Sequence, residues 1–254
     1  MIWLFFISNS ILPQLTMKPY FRFIQIPEPP NVSAQFISVK TKLLTVLKIY
    51  LFTLLLAAIA ATITELFDKI LVSFFSIKSL ITTHASNFKA VADRFGNFKV
   101  FYVALFVPAL EELIFRLPLR AKPFFISFSF GMLLYPIGGF SYTHFDMHAL
   151  RPYLGVIILL ILMPVVLGWV LKKINITCII NKNYRVYFYI FSSLFALVHI
   201  SNFKPLNYNL IYLYPLYVLP QFVMGVSLGY LRNKCGLQYS LLLHSLINLP
   251  HGIF

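Results

Sequence analysis

Acidic side chains are scarce in this sequence. Seven Asp and Glu stand against 21 Lys and Arg in 254 residues, which gives a formal charge of +14. Charged residues of both signs make up only 11% of the chain, whereas soluble domains carry about 25%. This shortage excludes an ordinary water-soluble globule, whose surface needs more charge. The two cysteines, Cys178 and Cys235, are too few for a disulfide framework.

Apolar side chains are abundant instead. They make up 59% of the residues and include 27 Phe and 15 Tyr. A helix needs roughly twenty apolar residues to cross a bilayer, because the hydrocarbon core is about 30 Å thick. Seven stretches meet this requirement, over 43–63, 98–121, 123–141, 153–171, 184–203, 209–232 and 237–253. The sequence therefore predicts an all-α, polytopic transmembrane helix bundle of about seven spans.

The region between the first two spans has an amphipathic pattern. Its apolar residues recur at helical spacing opposite Lys69, Ser73 and Lys78. They are Leu66, Phe67, Ile70, Leu71, Phe74 and Phe75. This pattern predicts a separate helix lying in the membrane interface.

Near the N-terminus, Met17 directly precedes Lys18 and Pro19. We therefore expect translation to start at Met17 and residues 1–16 to be a spurious extension.

The basic residues lie mostly between the apolar stretches. This placement is typical of loops beside anionic lipid headgroups, so we expect a lipid bilayer and no nucleic acid as partner. With the N-terminus in the cytoplasm, inner loops hold 14 of the Lys and Arg residues and outer loops hold 7. The positive-inside rule therefore predicts an integral membrane protein with a cytoplasmic N-terminus.

Two adjacent carboxylates, Glu111 and Glu112, interrupt the second apolar stretch. A charged side chain at mid-membrane costs about 2.5–3.5 kcal/mol on insertion scales, so each carboxylate needs water, a partner or a proton. Glu112 and Arg116 stand at i and i+4 and can pair on one helix face. Glu111 is turned about 100° away from that partner, which makes it the stronger functional candidate.

Further polar groups occur in two later spans. His199 ends the fifth, and His244 and Asn248 stand one turn apart in the seventh. A carboxylate, two imidazoles and an amide supply a base for water and donors for an oxyanion, as peptide hydrolysis requires. The same groups can bind a divalent metal, carry protons across a membrane or serve as structural hydrogen bonds between helices. The residues alone leave these alternatives open.

Three motifs resemble those of a known family. Glu-Glu-x-x-x-Arg at 111–116, Phe-x-x-x-His at 195–199 and His-x-x-x-Asn at 244–248 are similar to the ordered motifs of CPBP intramembrane proteases. This group contains the type II CAAX prenyl endopeptidases and the abortive-infection and bacteriocin-processing proteins. The resemblance covers about residues 98–252.

The resemblance implies roles for individual residues. Glu111 and His199 would activate the attacking water, while His244 and Asn248 would stabilise the oxyanion. Glu112 would belong to the same catalytic group, with Arg116 and Phe195 supporting it. The family has been described both as metal-free glutamate proteases and as metalloproteases, so the cofactor stays undecided between none and a zinc ion on Glu111, His199 and His244.

We therefore predict an intramembrane endopeptidase in a bacterial inner membrane that cleaves a membrane-associated or lipidated polypeptide. Its parts would be a lead-in (1–42), a first span with the interfacial helix (43–97) and a protease-like core (98–254). A transmembrane hairpin over about 123–171 would be inserted into that core. The alternatives are a non-catalytic immunity or partner-binding protein and a proton-coupled transporter.

Overall fold

The computed structural model describes residues 16–30, 37–75, 78–137 and 161–253, and no β-strand occurs in these ranges. The α-helices longer than three residues are α1 (Lys18–Gln25), α2 (Val39–Phe75), α3 (Leu80–Asp93), α4 (Val107–Phe115), α5 (Pro123–Ile137), α6 (Met163–Lys173), α7 (Ile176–Lys182), α8 (Tyr184–Val198), α9 (Tyr214–Tyr217), α10 (Leu219–Lys234) and α11 (Leu237–Ile253). The predicted all-α transmembrane bundle is confirmed.

The number of spans stays a prediction. Two stretches of the described residues, Val39–Phe74 and Tyr184–Phe203, are long and apolar enough to cross a membrane alone. Two bent pairs raise the number to four if each pair is one span: α6 with α7, bent by 69°, and Tyr208–Tyr217 with α10, bent by 44°. The count of seven is not confirmed. Residues 1–15 and the middle of the proposed hairpin, 138–160, lie outside the described residues.

The predicted interfacial helix is not a separate element. Residues 66–75 continue α2, which runs for 37 residues without interruption. Helix α2 contains no Pro or Gly that would end it before Phe75. At 1.5 Å per residue, the whole helix is about 55 Å long. Because the hydrocarbon core is only about 30 Å thick, α2 must tilt or extend beyond it.

The lead-in also contains a helix that the sequence reading missed. In α1, Tyr20 and Phe23 are buried while Lys18 and Arg22 are more exposed. The hydroxyl group of Tyr20 hydrogen-bonds with that of Ser227 at 2.9 Å. The Phe23 ring packs edge-on against another buried aromatic ring of the core. This amphipathic helix therefore covers one end of the bundle.

Helix α10 is the central helix of the bundle. All ten residues from 224 to 233 are buried, and the helix packs against α2, α8 and α11. Close approach to α8 depends on Gly229, because a Cβ there would lie 2.6 Å from the ring of the fully buried Phe188. Helix α11 completes this core through the Ser240 hydroxyl, which donates to the Leu228 carbonyl at 2.9 Å. Helices α4, α8 and α11 are thereby held side by side, with one sequence motif on each.

Candidate active site

The helix that carries the first motif contains a π-helical turn immediately before α4. This turn spans Tyr102–Phe106, and the Val107 N–H donates to the Tyr102 carbonyl, five residues back. Pro108 has no N–H, so it cannot donate to the carbonyl of Val103. Proline is a common cause of such irregular turns, which occur often at functional sites. The carbonyl of Val103 is therefore available to a side chain from another helix.

Asn248 on α11 occupies that carbonyl. Its Nδ2 donates to Val103 O at 3.4 Å, and the side chain is half-buried. The sequence reading predicted Asn248 as an oxyanion donor and had no means to predict this contact. A primary amide has two N–H groups, so the contact with Val103 leaves one of them for a ligand.

The carboxylate of Glu111 lies between two histidines from different helices. One oxygen, Oε2, is 3.3 Å from His244 Nε2, and the other, Oε1, is 3.8 Å from His199 Nε2. The three residues come from α4, α11 and the end of α8, and they are separated by 45 to 133 positions in the sequence. The structure thus brings together the three residues to which the sequence motifs imply the central roles.

The ring of His199 is oriented by the residue one turn before it. His199 Nδ1 is 2.7 Å from the carbonyl oxygen of Phe195. Since a carbonyl oxygen only accepts hydrogen bonds, Nδ1 carries the proton and donates it. In the neutral ring Nε2 then presents its lone pair towards Glu111. The Phe-x-x-x-His spacing of this motif therefore fixes the tautomer of the histidine through the backbone.

His244 connects both carboxylates of the first motif. Its Nδ1 is 3.1 Å from Glu112 Oε1 while its Nε2 faces Glu111. If Nδ1–H donates to an ionised Glu112, a neutral ring presents a lone pair to Glu111. An attractive contact with Glu111 then needs one more proton, on that carboxyl group or on the imidazole ring. The two Glu residues and His244 therefore form one coupled acid–base unit.

Arg116 supplies the positive charge beside this unit. Its Nε is 3.7 Å from Glu112 Oε1, so the predicted i,i+4 pair is present as a long ion pair. The guanidinium lies 4.2 Å above the centre of the Phe195 ring, which is a cation–π distance. The backbone carbonyl of Arg116 accepts a hydrogen bond from Arg232 Nε at 2.9 Å. Phe195 therefore supports both His199 and Arg116.

Exposure divides these residues into two groups. The side chains of Glu111 and His199 are 20% and 15% exposed, whereas those of Glu112, Arg116 and His244 are 2%, 1% and 0% exposed. The first two can meet a ligand without rearrangement. The other three form a sealed polar layer behind them, which is closed to solvent and can hold charge and orient Glu111.

The rim of the site includes a residue from α3. The His84 ring packs at a centroid distance of 4.9 Å on Phe203, which ends the 3₁₀ turn that begins at His199. Burial lowers the pKa of His84 below its usual value, and electrostatic interaction with the imidazoles of His199 and His251 lowers it further. His84 is therefore neutral at pH 7.

The geometry does not support the predicted metal site. In the described ranges, no group of three or more His, Cys, Asp and Glu side chains is arranged to hold a metal ion. Glu111, His199 and His244 contact one another, but their donor atoms do not converge as a ligand set. Their predicted role as metal ligands therefore gains no support from the structure.

Sequence reading missed a further buried carboxylate near the site. We predict Asp68 outside the spans, in the region of the interfacial helix, but it lies on α2 and is only 4% exposed. Its oxygens accept hydrogen bonds from Ser79, Leu80 and Tyr217. A signal was present, because Ala60, Thr64, Asp68 and Leu71 follow one another at helical spacing and all four are buried. Reading α2 as ending near residue 63 concealed that pattern.

Comparison with known proteins identifies the C-terminal part of the chain. Residues 176–250 match the family model described as "Type II CAAX prenyl endopeptidase Rce1-like". No curated protein and no solved structure matches the chain. The matched segment contains Phe195, His199, His244 and Asn248, and the fold places Glu111 against both of its histidines. The match confirms the family resemblance for the second and third motifs, and residues 176–250 are similar to an Rce1-like domain, consistent with a CPBP-family intramembrane protease, while the first motif lies outside the matched segment.

Proposed function

We propose that the protein is an intramembrane endopeptidase in which Glu111 is the general base for peptide hydrolysis. The Rce1-like match supports a CAAX-type intramembrane protease. The observation that carries the assignment of the base is the position of the Glu111 carboxylate between the Nε2 atoms of His199 and His244, at 3.8 and 3.3 Å. Substrates would be membrane-associated or lipidated polypeptides, since the site lies among apolar helices.

The attacking water would bind between Glu111 and His199. Their facing atoms are 3.8 Å apart, too far for a direct hydrogen bond, yet one water molecule can contact both at hydrogen-bonding distance. His199 Nε2 accepts one hydrogen bond from the water because its Nδ1 proton is held by Phe195. Glu111 takes the other proton as the water oxygen attacks the peptide carbonyl. The protonated Glu111 then delivers that proton to the leaving amine.

Donors for the oxyanion would come from α11. The second N–H of Asn248 is the first candidate, because the amide is half-buried and anchored on Val103. His244 is fully buried and its Nε2 faces Glu111, so its contribution as a donor requires that the Nε2–H turn from Glu111 to the oxyanion. Before that step, His244 holds Glu111 in place. Preorganised donors of this kind typically contribute about 2.7–4 kcal/mol to transition-state stabilisation.

The sealed layer behind the site would keep the base correctly charged. Arg116 and Glu112 are buried together, so their charges largely compensate each other next to His244. A carboxylate without such neighbours would be costly at this depth. The proposal also uses the second N–H of Asn248, for which a proton-coupled transporter has no need.

Isotope labelling during cleavage tests the proposed reaction. The purified protein in proteoliposomes is incubated in ¹⁸O-water with a set of membrane-associated peptides, and products are analysed by mass spectrometry. We expect new C-termini that carry one ¹⁸O atom. We expect none with a variant that combines Glu111→Gln and His199→Ala. Intact peptides after incubation with folded wild-type protein would favour the non-catalytic alternative.

A further inference from the structure

Asp68 is the best-satisfied buried carboxylate outside the motifs. It is 4% exposed, and its Oδ2 accepts from the Ser79 hydroxyl at 2.6 Å. Its Oδ1 accepts from the Leu80 N–H at 3.0 Å and from the Tyr217 hydroxyl at 2.8 Å. Leu80 is the first residue of α3, so a side chain of α2 caps the next helix. A single carboxylate therefore joins α2, the start of α3 and α9.

Both elements that Asp68 holds also contact the turn that contains His199. This turn is the 3₁₀ segment His199–Phe203. On one side the Tyr217 ring packs edge-on against Phe203 with centroids 5.7 Å apart. On the other side the His84 ring of α3 lies 4.9 Å from the Phe203 ring. Phe203 is 3% exposed, so it is fixed between them.

Helix α3 also binds the backbone that follows His199. Asn87 Nδ2 donates to the carbonyl oxygens of Asn202 and Lys204, at 2.9 and 2.6 Å. These carbonyls end a 3₁₀ helix and have no continuing helix to supply N–H donors. Asn87 thus caps the end of this turn. Asn87 lies on α3, whose first residue is bound by Asp68. The position of His199 relative to Glu111 depends on this turn, because α8 itself ends at Val198.

We propose that Asp68 is a positioning residue of the active site, which fixes the His199–Phe203 turn through α3 and Tyr217 and so sets the distance between His199 and Glu111. The proposal rests on the proposed function. It assigns to Asp68 no contact with substrate, since its oxygens are already occupied by three protein donors. A shift of about 1 Å in a reacting group can reduce a rate on the order of a hundredfold, so this anchoring would affect catalysis strongly.

Three variants separate the contacts of the anchor. Asp68→Ala removes all three hydrogen bonds, whereas Asp68→Asn keeps one carbonyl oxygen that can accept from Leu80 and Tyr217. Asn87→Ala leaves Asp68 intact and removes only the two bonds to the turn. The matched control is Asn183→Ala, the same substitution at the other end of α8. It removes one hydrogen bond from an asparagine side chain to a backbone carbonyl.

Hydrogen exchange measures the anchor without reference to catalysis. We expect the amides of residues 199–203 to exchange about tenfold faster in Asp68→Ala and Asn87→Ala than in the wild type. Asp68→Asn should lie between them and the wild type, and the Asn183 control should leave these amides unchanged. Equal exchange of residues 199–203 in wild type and Asp68→Asn would overturn the proposal. This comparison remains decisive if Asp68→Ala does not fold.

Steady-state cleavage kinetics measure the positioning itself. For Asp68→Ala we expect kcat to fall about tenfold to a hundredfold while KM stays nearly constant, with partial recovery in Asp68→Asn. An increase in KM of Asp68→Ala without a fall in kcat would contradict a positioning role. Equal cleavage rates of Asn87→Ala and the Asn183→Ala control would also contradict it. If the wild type cleaves no peptide while exchange at 199–203 responds as expected, the proposed function fails and the anchor stands as a structural feature.

Discussion

Removing the buried charge of Arg116 provides a quantitative test of the sealed polar layer. In Arg116→Met the side chain keeps much of its length, so packing on Phe195 is largely retained while the charge is lost. Glu112, whose side chain is 2% exposed, then loses the guanidinium that compensates its charge. Removing one partner of a buried ion pair typically costs about 3–5 kcal/mol, because the remaining charge stays desolvated. We expect a loss of this size in the free energy of unfolding.

A double variant separates charge from packing. Arg116→Met with Glu112→Gln removes both charges, and Gln still offers a carbonyl oxygen to His244 Nδ1. Since a buried pair can often be replaced by neutral residues at little cost, the double variant should recover most of the loss. Unfolding is measured by circular dichroism in mixed micelles with increasing fractions of denaturing detergent. A loss below about 1 kcal/mol in Arg116→Met, or a double variant as unstable as the sum of both single variants, would refute the reasoning.

Three further predictions concern packing, thiol reactivity and metal dependence. Gly229→Ala should destabilise the fold by about 1–3 kcal/mol, because the new Cβ would clash with the buried Phe188 ring. Gly168→Ala should cost less, because its Cβ would meet only the Ser127 hydroxyl, at 3.1 Å. Equal melting temperatures of the two variants would contradict this prediction. Burial raises the pKa of the Cys235 thiol to about 11, so maleimide at pH 7 should label the exposed Cys178 and spare Cys235. Labelling of Cys235 should increase as the pH rises towards its pKa. Rapid labelling of Cys235 at pH 7 would show that its thiol is not buried. Dialysis against a chelator should leave cleavage unchanged, because the site lacks a convergent ligand set; loss of activity with recovery on addition of zinc would show metal dependence.

The polar cluster of the candidate active site was predictable from sequence because its residues are unusual in their setting. Glu111, His199 and His244 each interrupt an apolar stretch, and ionisable side chains within a membrane bundle seek one another. Their convergence is expected if each polar face points into the bundle, and the family resemblance implies the same single site. The distances then follow from the packing of α4 against α8 and α11, which both pack on α10, and no local pattern specifies this arrangement.

Contacts that depend on tertiary structure were not predictable. Asn248 binds Val103 only because Pro108 and a π-helical turn leave that carbonyl without a backbone donor. Asp68 binds Leu80 because α2 continues past its expected end near residue 63 and places the carboxylate at the start of α3. In both cases the sequence shows the residue, while its partner is determined by the backbone geometry of another helix.

The most direct test of the central claim compares two Glu→Gln variants in the same cleavage assay. Glu111→Gln removes the proposed base, whereas Glu65→Gln removes an exposed carboxylate of α2 that pairs with Lys69 at 2.8 Å, away from the motifs. A general base typically accelerates the reaction about 10²- to 10⁴-fold, so we expect kcat/KM to fall by at least two orders of magnitude in Glu111→Gln. In Glu65→Gln, kcat/KM should stay at the wild-type value. Cleavage by folded Glu111→Gln at the wild-type rate would contradict the account.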